Sequence, residues 1–246
     1  MPRALPIADR LAAAPNAAQR LWPGLLTAGL IAAAAQFVAD FSGGPALLFA
    51  LLLGMAMHFA GEDSRVRPGV DAASKTILRI GVMLLGARIG ADEIIALGWG
   101  PLLLVGAAVF ATIGFGVAAA RAIGLDRSQG LLTGGATAIC GASAALAISA
   151  VLPNRPTQDR DTLFAVVAVT SLSTIAMIAY PALVQAIGLS DRAAGVFLGG
   201  AIHDVAQVVG AGYIVSVEAG DAAVLTKLFR VALLAPIVIA IAIAFH

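Results

Sequence analysis

Long apolar runs separated by short polar stretches fill the chain from Leu21 onward. Runs near or above the ~18–20 residues that cross a hydrocarbon core predict membrane helices rather than the buried helices of a soluble domain. The pattern predicts spans at Leu21 to Val38, Pro45 to Ala60, Thr76 to Ile89, Pro101 to Ala120, Ser128 to Leu152, Leu163 to Ile187, Gly195 to Val215 and Val224 to Phe245. The third is short and contains Arg79 and Arg88. The expected fold class is all-α, a polytopic transmembrane helix bundle of about eight spans.

Two of these runs are interrupted. Gly134 and Gly135 are followed by Thr137, Cys140 and Ser143, and Gly199 and Gly200 by His203, Asp204 and Gln207. Glycine is costly in a helix interior and permits unusual dihedrals, so Gly134, Gly135 and Gly141 predict a local unwinding. Backbone freed in this way is tolerated at membrane depth only where it is buried in protein or lines a wet cavity. Interrupted helices are the best sequence pointer to a transporter's binding site. A helix restarting near Ala142 would offer its amides to an anion, with the Thr137 and Ser143 hydroxyls beside them. Close packing of small residues between helices accounts for the first segment equally well.

The second segment carries ionisable groups where they are expensive. His203 and Gln207 share one helical face, and Asp204 lies about 100° away. They read as a protonatable group, a neutral donor and a proton or cation partner, or else as a structural hydrogen-bond cluster. Lys227 and Arg230, three apart near the start of the last span, share a face and would either draw an anion into the bundle or snorkel to the interface. Arg79 is a further cationic candidate, whereas Arg88 pairs by spacing with Asp92.

Composition sharpens the class. The chain is 60% hydrophobic and 12% charged, with a mean hydropathy of +0.97. A net charge of +1 without any basic run excludes nucleic acid as a partner. The single cysteine excludes an internal disulfide and a cysteine metal cluster. The three histidines have no metal-ligand spacing, and no nucleophile elbow, phosphate loop or zinc-protease motif occurs, so no metal, no cofactor and no enzymatic activity are expected. The first apolar run has no cleavage site after it and reads as an uncleaved span. Lysine and arginine gather on one side of the predicted topology, with Arg3, Arg10, Arg20, Arg65, Arg67, Lys75, Arg121, Arg127 and Arg192 inside and Arg155, Arg160 and, by its place near the start of the last span, Lys227 outside. Residues 1–20 are then a cytoplasmic N-terminal segment and residues 21–246 a single transmembrane transporter domain.

Four segments in order, ILRIGVMLLGARIG, LTGGATAICGASA, GAIHDVAQVVGAG and LTKLFRVALLAP, resemble the signature segments of the YeiH family of sulfate exporters of the bacterial inner membrane. That family is similar to the bile-acid, arsenite and riboflavin transporters, which use inverted repeats with crossed, broken helices. The resemblance implies a partial inverted-repeat transporter fold and secondary active export of sulfate or a related sulfur oxyanion, with proton coupling through His203 or Asp204. The substrate-binding positions it picks out are Thr137, Cys140, Gly141, Ser143, His203, Asp204, Gln207, Lys227 and Arg230, to which the interruption adds Gly134 and Gly135. The expected partners are a small inorganic or sulfonate anion and the lipid bilayer, with a homodimer as the assembly. Members of the family continue past Phe245-His246, so the chain is expected to be a truncated form. The competing readings are an anion channel and a non-transporting membrane fragment that needs a partner chain.

Overall fold

The computed structural model describes residues 7–42, 46–77, 80–81, 84 and 98–245. Arg79, Arg88 and Asp92, and with them most of the third expected span, lie outside the described residues. Four stretches are long and apolar enough to cross a membrane: Gln19–Ser42, Trp99–Ala122, Gln158–Ala186 and Val217–Phe245. The chain forms two compact units, residues 1–85 and 86–246.

In the first unit, α1 (Ile7–Ser42) packs against α2 (Ala46–Ala56) and α4 (Arg67–Ala72), with the short α3 (His58–Glu62) between them and a π-helical turn (Ala73–Ile77) after α4. Gly24 and Gly69 form the α1–α4 contact. A Cβ on Gly24 would stand 2.0 Å from the Val66 carbonyl oxygen, and one on Gly69 would stand 2.1 Å from that of Leu21.

The second unit contains α5 (Trp99–Ala122), α6 (Arg127–Ala138), α7 (Ala142–Val151), α8 (Gln158–Ala186), α9 (Asp191–Ala201), α10 (Val205–Val215), α11 (Val217–Ala232) and α12 (Leu234–Phe245). Its central finding is that α6 and α7 do not continue in one direction. Gln129 near the start of α6 donates from Nε2 to Asp161 Oδ2 at 2.9 Å. Ser149 near the end of α7 lies 2.8 Å from Thr162 Oγ1, and its carbonyl accepts from Gln158 Nε2 at 2.6 Å. Both ends of the segment therefore meet the first turns of α8. A straight helix rising 1.5 Å per residue would separate Gln129 from Ser149 by about 30 Å. The segment is a re-entrant hairpin, and its 12-residue first arm reaches about 18 Å, roughly mid-depth.

Helices α9 and α10 form a second hairpin. Gly195 in α9 and Gly212 in α10 both pack on Ala219 of α11, where an added Cβ would stand 2.4 Å and 3.3 Å from its carbonyl oxygen. This hairpin enters from the opposite end. Tyr180 in the distal half of α8 stacks at 5.3 Å on Phe197 of α9, whereas the hairpin tip meets Ser173 at the middle of α8. Helix α11 starts beside the open end of the second hairpin. Its continuation α12 places Ile237 and Ile241 in one core with Ala144 and Ile148 of the first hairpin. Among the described residues of the second unit, α5, α8 and the α11–α12 pair are long and apolar enough to cross, and the two segments expected as spans over Ser128 to Leu152 and Gly195 to Val215 turn back instead.

The hairpin also moves charges between sides. Arg155 Nη1 lies 3.6 Å from Asp126 Oδ2 in the α5–α6 connection. Arg155 and Arg160 thus lie at the same end as Arg121 and Arg127, not across the membrane from them, and Arg192 lies at the other end.

These positions predict a labelling pattern. With Cys140 replaced by Ala, Leu125→Cys and Asn154→Cys should react with an impermeant thiol reagent from the same side of sealed vesicles. Leu189→Cys should react only from the other. Opposite-side labelling of residues 125 and 154 would restore a full crossing at residues 128–152.

Candidate functional site

The two hairpin tips meet at mid-depth. A Cβ on Gly141, in the first tip, would stand 3.1 Å from Val169 of α8 and 3.5 Å from the Cβ of His203 in the second tip. The first tip is made by Gly141, whose φ of +68 is a left-handed conformation that side chains rarely adopt. Its N–H donates to the Ala136 carbonyl at 2.9 Å and closes the end of α6. The break lies at Ile139 to Gly141, so of the three glycines expected to unwind only Gly141 does, and the helix restarts at Ala142 as expected. Gly134 and Gly135 stay helical and serve packing. A Cβ on Gly134 would crowd Ile113 and Gly116 of α5 at 3.1–3.2 Å, and one on Gly135 would meet Ile148 of α7.

A helix that ends inside a membrane leaves its last carbonyls without intrahelical donors. Here α11 supplies them. Arg230 donates from Nε to Ala138 O at 3.0 Å, from Nη1 to Gly199 O at 3.1 Å and Ile202 O at 3.2 Å, and from Nη2 to Thr137 O at 3.2 Å and Ala138 O at 2.5 Å. Lys227 Nζ donates to Ile139 O at 2.8 Å and Ile202 O at 3.0 Å. Lys227 is 0% and Arg230 3% exposed. Both cations therefore bridge the C-terminal ends of α6 and α9, where the helix dipole is negative. They lie far from any interface, so the snorkelling alternative does not describe them.

The N-terminal ends at the same level are treated unequally. Asp204 caps α10, accepting from Ala206 N at 2.8 Å and Gln207 N at 3.2 Å. Helix α7 begins after Gly141 with no side-chain cap. Gln207 donates to Thr174 Oγ1 at 3.1 Å and accepts from Ser173 Oγ. Ser173 Oγ in turn accepts from the His203 amide at 3.1 Å and the Asp204 amide at 3.4 Å. Ser173 organises the second tip, although it is not among the residues that the sequence pattern singles out. Its signal was the cluster Thr170, Ser171, Ser173 and Thr174 at the centre of an otherwise apolar span. His203 Nδ1 is buried and has no hydrogen-bond partner among the described residues.

The structure thus gathers Thr137, Cys140, Gly141, His203, Asp204, Gln207, Lys227 and Arg230 at the two tips, with Ser143 in the first turn of α7. Gly134 and Gly135 lie one turn back in α6. Thr137, Ser143 and Asp204 are exposed, Cys140 and His203 half-buried. A groove of about 630 Å³ runs between α5 and α9 from Ser190 and Arg192 to Ala138, Gly200 and Arg230, so the back of the tip layer is approached from the Arg192 end.

Complete crossings combined with two opposed re-entrant hairpins define a polytopic α-helical membrane protein. The chain belongs to the family described as conserved hypothetical protein 698, whose pattern matches residues 23–246. It is 53% identical to a UPF0324 membrane protein of Chlorobaculum tepidum over 92% of this chain and 64% of the relative. A UPF0324 membrane protein of Rhizobium meliloti is 54% identical over 88% of this chain and 63% of the relative. The UPF0324 membrane protein TauZ of Paracoccus denitrificans is 53% identical over 92% and 67%. The chain therefore spans less than two thirds of the length of the first two relatives. No solved structure matches the chain.

Replacing Arg230 by Met should leave the buried carbonyls of Ala138 and Gly199 without a donor. At roughly 1–3 kcal/mol for each buried acceptor left unpaired, the loss should be about 2 kcal/mol or more, read as thermal unfolding in detergent. The exposed Arg192→Met change should stay within about 0.5 kcal/mol. Equal stability of the two variants would remove the carbonyl-bridging role.

Proposed function

We propose that the chain is the anion-conducting core of a secondary active transporter, and that sulfate or a related inorganic or organic sulfur oxyanion is held between the two hairpin tips. The observation that carries this reading is the charge balance at mid-depth. Lys227 and Arg230 bring two positive charges into the layer. The C-terminal ends of α6 and α9 offset about half a unit each, and the N-terminal ends of α7 and α10 add about half a unit each. Asp204 removes one. The layer retains about one positive charge, and a low-dielectric interior favours its neutralisation by an anion. The α7 terminus is the place for it, because its N-cap Gly141 has no side chain to occupy the first amides and Ser143 lies in the first turn. The donors of Arg230 are taken up by carbonyls, so Lys227 and Arg230 supply field and the first tip supplies contacts.

Exposed Thr137, Ser143 and Asp204 support the same reading. Polar groups at this depth belong next to a wet cavity or protein, not lipid. The end carrying Arg121, Arg127, Arg155 and Arg160 is the cytoplasmic one, by the excess of positive charge over the Arg192 end. Arg20 and Arg65 sit together in the first unit and favour a cytoplasmic amino end by the same rule. His203, with its unpartnered Nδ1 in the tip layer, is the group through which protons couple to export.

The direct test is the thermal stability of the detergent-purified chain against sulfate, an alkanesulfonate and chloride at matched ionic strength. A ligand at about 100 times its dissociation constant adds roughly 2.7 kcal/mol. A shift with the sulfur oxyanions alone is expected, and equal behaviour of chloride would argue against the site. Asp204→Asn keeps a good cap and removes one negative charge, so oxyanion affinity should rise by on the order of tenfold. That is the effect of two unit charges ~10 Å apart at an effective dielectric of about 20. In proteoliposomes, His203→Gln should flatten the pH dependence of sulfate counterflow; an unchanged profile would sink the coupling role.

A further inference from the structure

The first unit carries a cationic pocket that the transport reading does not use. It has a volume of about 510 Å³ and is lined by Gln19, Arg20 and Pro23 of α1 and by Ser64, Arg65 and Pro68 around the start of α4. Its depth is set by sequence, because Arg20 directly precedes the apolar run that begins at Leu21, so the pocket lies at the membrane–water boundary. Trp22, 61% exposed, sits half a turn below Arg20, where an indole anchors to the headgroup region. The geometry is held by backbone. The Gly24–Gly69 contact brings α1 and α4 so close that neither glycine could carry a side chain without shifting its neighbour, and this fixes the two arginines across one opening.

The charges near the opening leave both guanidinium groups available. Among the described residues, neither Arg20 nor Arg65 forms an ion pair. Asp63 accepts the backbone N–H of Arg65 at 2.8 Å, and Glu62 faces His58 at 3.9 Å. Two guanidinium forks beside a hydroxyl and an amide suit a phosphate group. Below the pocket, Trp22, Leu26 and Leu30 are exposed at four-residue spacing and form one apolar ridge along α1.

We propose that Arg20, Arg65, Gln19 and Ser64 form a binding site for the phosphate headgroup of an anionic phospholipid, whose acyl chain lies along the Trp22–Leu26–Leu30 ridge. Cation and ridge together recognise a molecule that is anionic at one end and apolar below it, which free phosphate is not. A basic residue near the surface strengthens anionic-lipid binding by about fivefold.

The experiment uses the purified full chain in mixed micelles of phosphatidylglycerol or phosphatidylcholine, with retained lipid counted by native mass spectrometry. The native chain should retain phosphatidylglycerol preferentially. Arg20→Gln and Arg65→Gln should each lower retention about fivefold and together about 25-fold, while the control Arg192→Gln, in the second unit, leaves it unchanged. Circular dichroism of each variant confirms that these exposed changes preserve the helices. Equal retention of both lipids by the native chain, or undiminished phosphatidylglycerol on the double variant, would overturn the assignment. Displacement of phosphatidylglycerol by millimolar inorganic phosphate at matched ionic strength would also overturn it, by showing that the pocket takes free phosphate.

Discussion

The carbonyl groups at the ends of α6 and α9 are the constraint on which the second unit depends. A helix that stops halfway through a bilayer exposes acceptors that hydrocarbon cannot satisfy, at several kcal/mol for each. Seven hydrogen bonds from Lys227 and Arg230 meet this demand. The dependence is mutual, because two buried cations would be untenable without the carbonyls and helix ends around them. This polar layer divides the interior. One apolar core, with Ile148, Leu152, Ala165 and Ile241, fills the half occupied by the first hairpin. Another, with Val184, Ala194, Leu198 and Val208, fills the half occupied by the second.

Close helix approach makes this arrangement possible. Gly116 of α5 meets Gly134 of α6, and Gly195, Gly199 and Gly212 let both arms of the second hairpin lie against α11. At such distances the guanidinium of Arg230 spans from Thr137 to Gly199 without leaving α11. Between helices in lipid, where apolar burial gives little net drive, such packing and the hydrogen bonds across it are what hold segments together. The Ser173–Gln207 contact does the same for the second tip, tying it to the middle of a full crossing.

Much of the fold was legible in the sequence, because length and apolarity identify membrane helices directly. The hairpins were not. A half-helix followed by another half-helix has the same length and composition as one interrupted crossing, and only the contacts of Gln129 and Ser149 with the start of α8 separate the two. The side assigned to Arg155 and Arg160 was wrong for the same reason, since each miscounted crossing inverts everything after it. Of the three glycines expected to unwind the first segment, Gly141 does so, because the backbone there is left-handed, whereas Gly134 needs only the absence of a Cβ. Thr137, His203 and Asp204 were found because polar residues are conspicuous in apolar runs. Ser173 was missed because a serine can bond back to its own helix, and sequence does not show when it bonds elsewhere. The direction in which Lys227 and Arg230 point was equally invisible, because carbonyl acceptors belong to every residue alike.

Ser216 alone joins α10 to α11, serving as the C-cap of one and the N-cap of the other. A single extended residue spans no more than about 3.6 Å, so this corner has almost no slack. The second hairpin and α11 are mechanically one lever, while the first hairpin meets it through the hydrogen bonds of Lys227 and Arg230 and through the apolar contact of α12. Any sliding of the second hairpin along the membrane normal must drag Lys227 and Arg230 with it and shear them away from Thr137, Ala138 and Ile139. Such a displacement would separate the first tip from the two cations and so change the field at that tip.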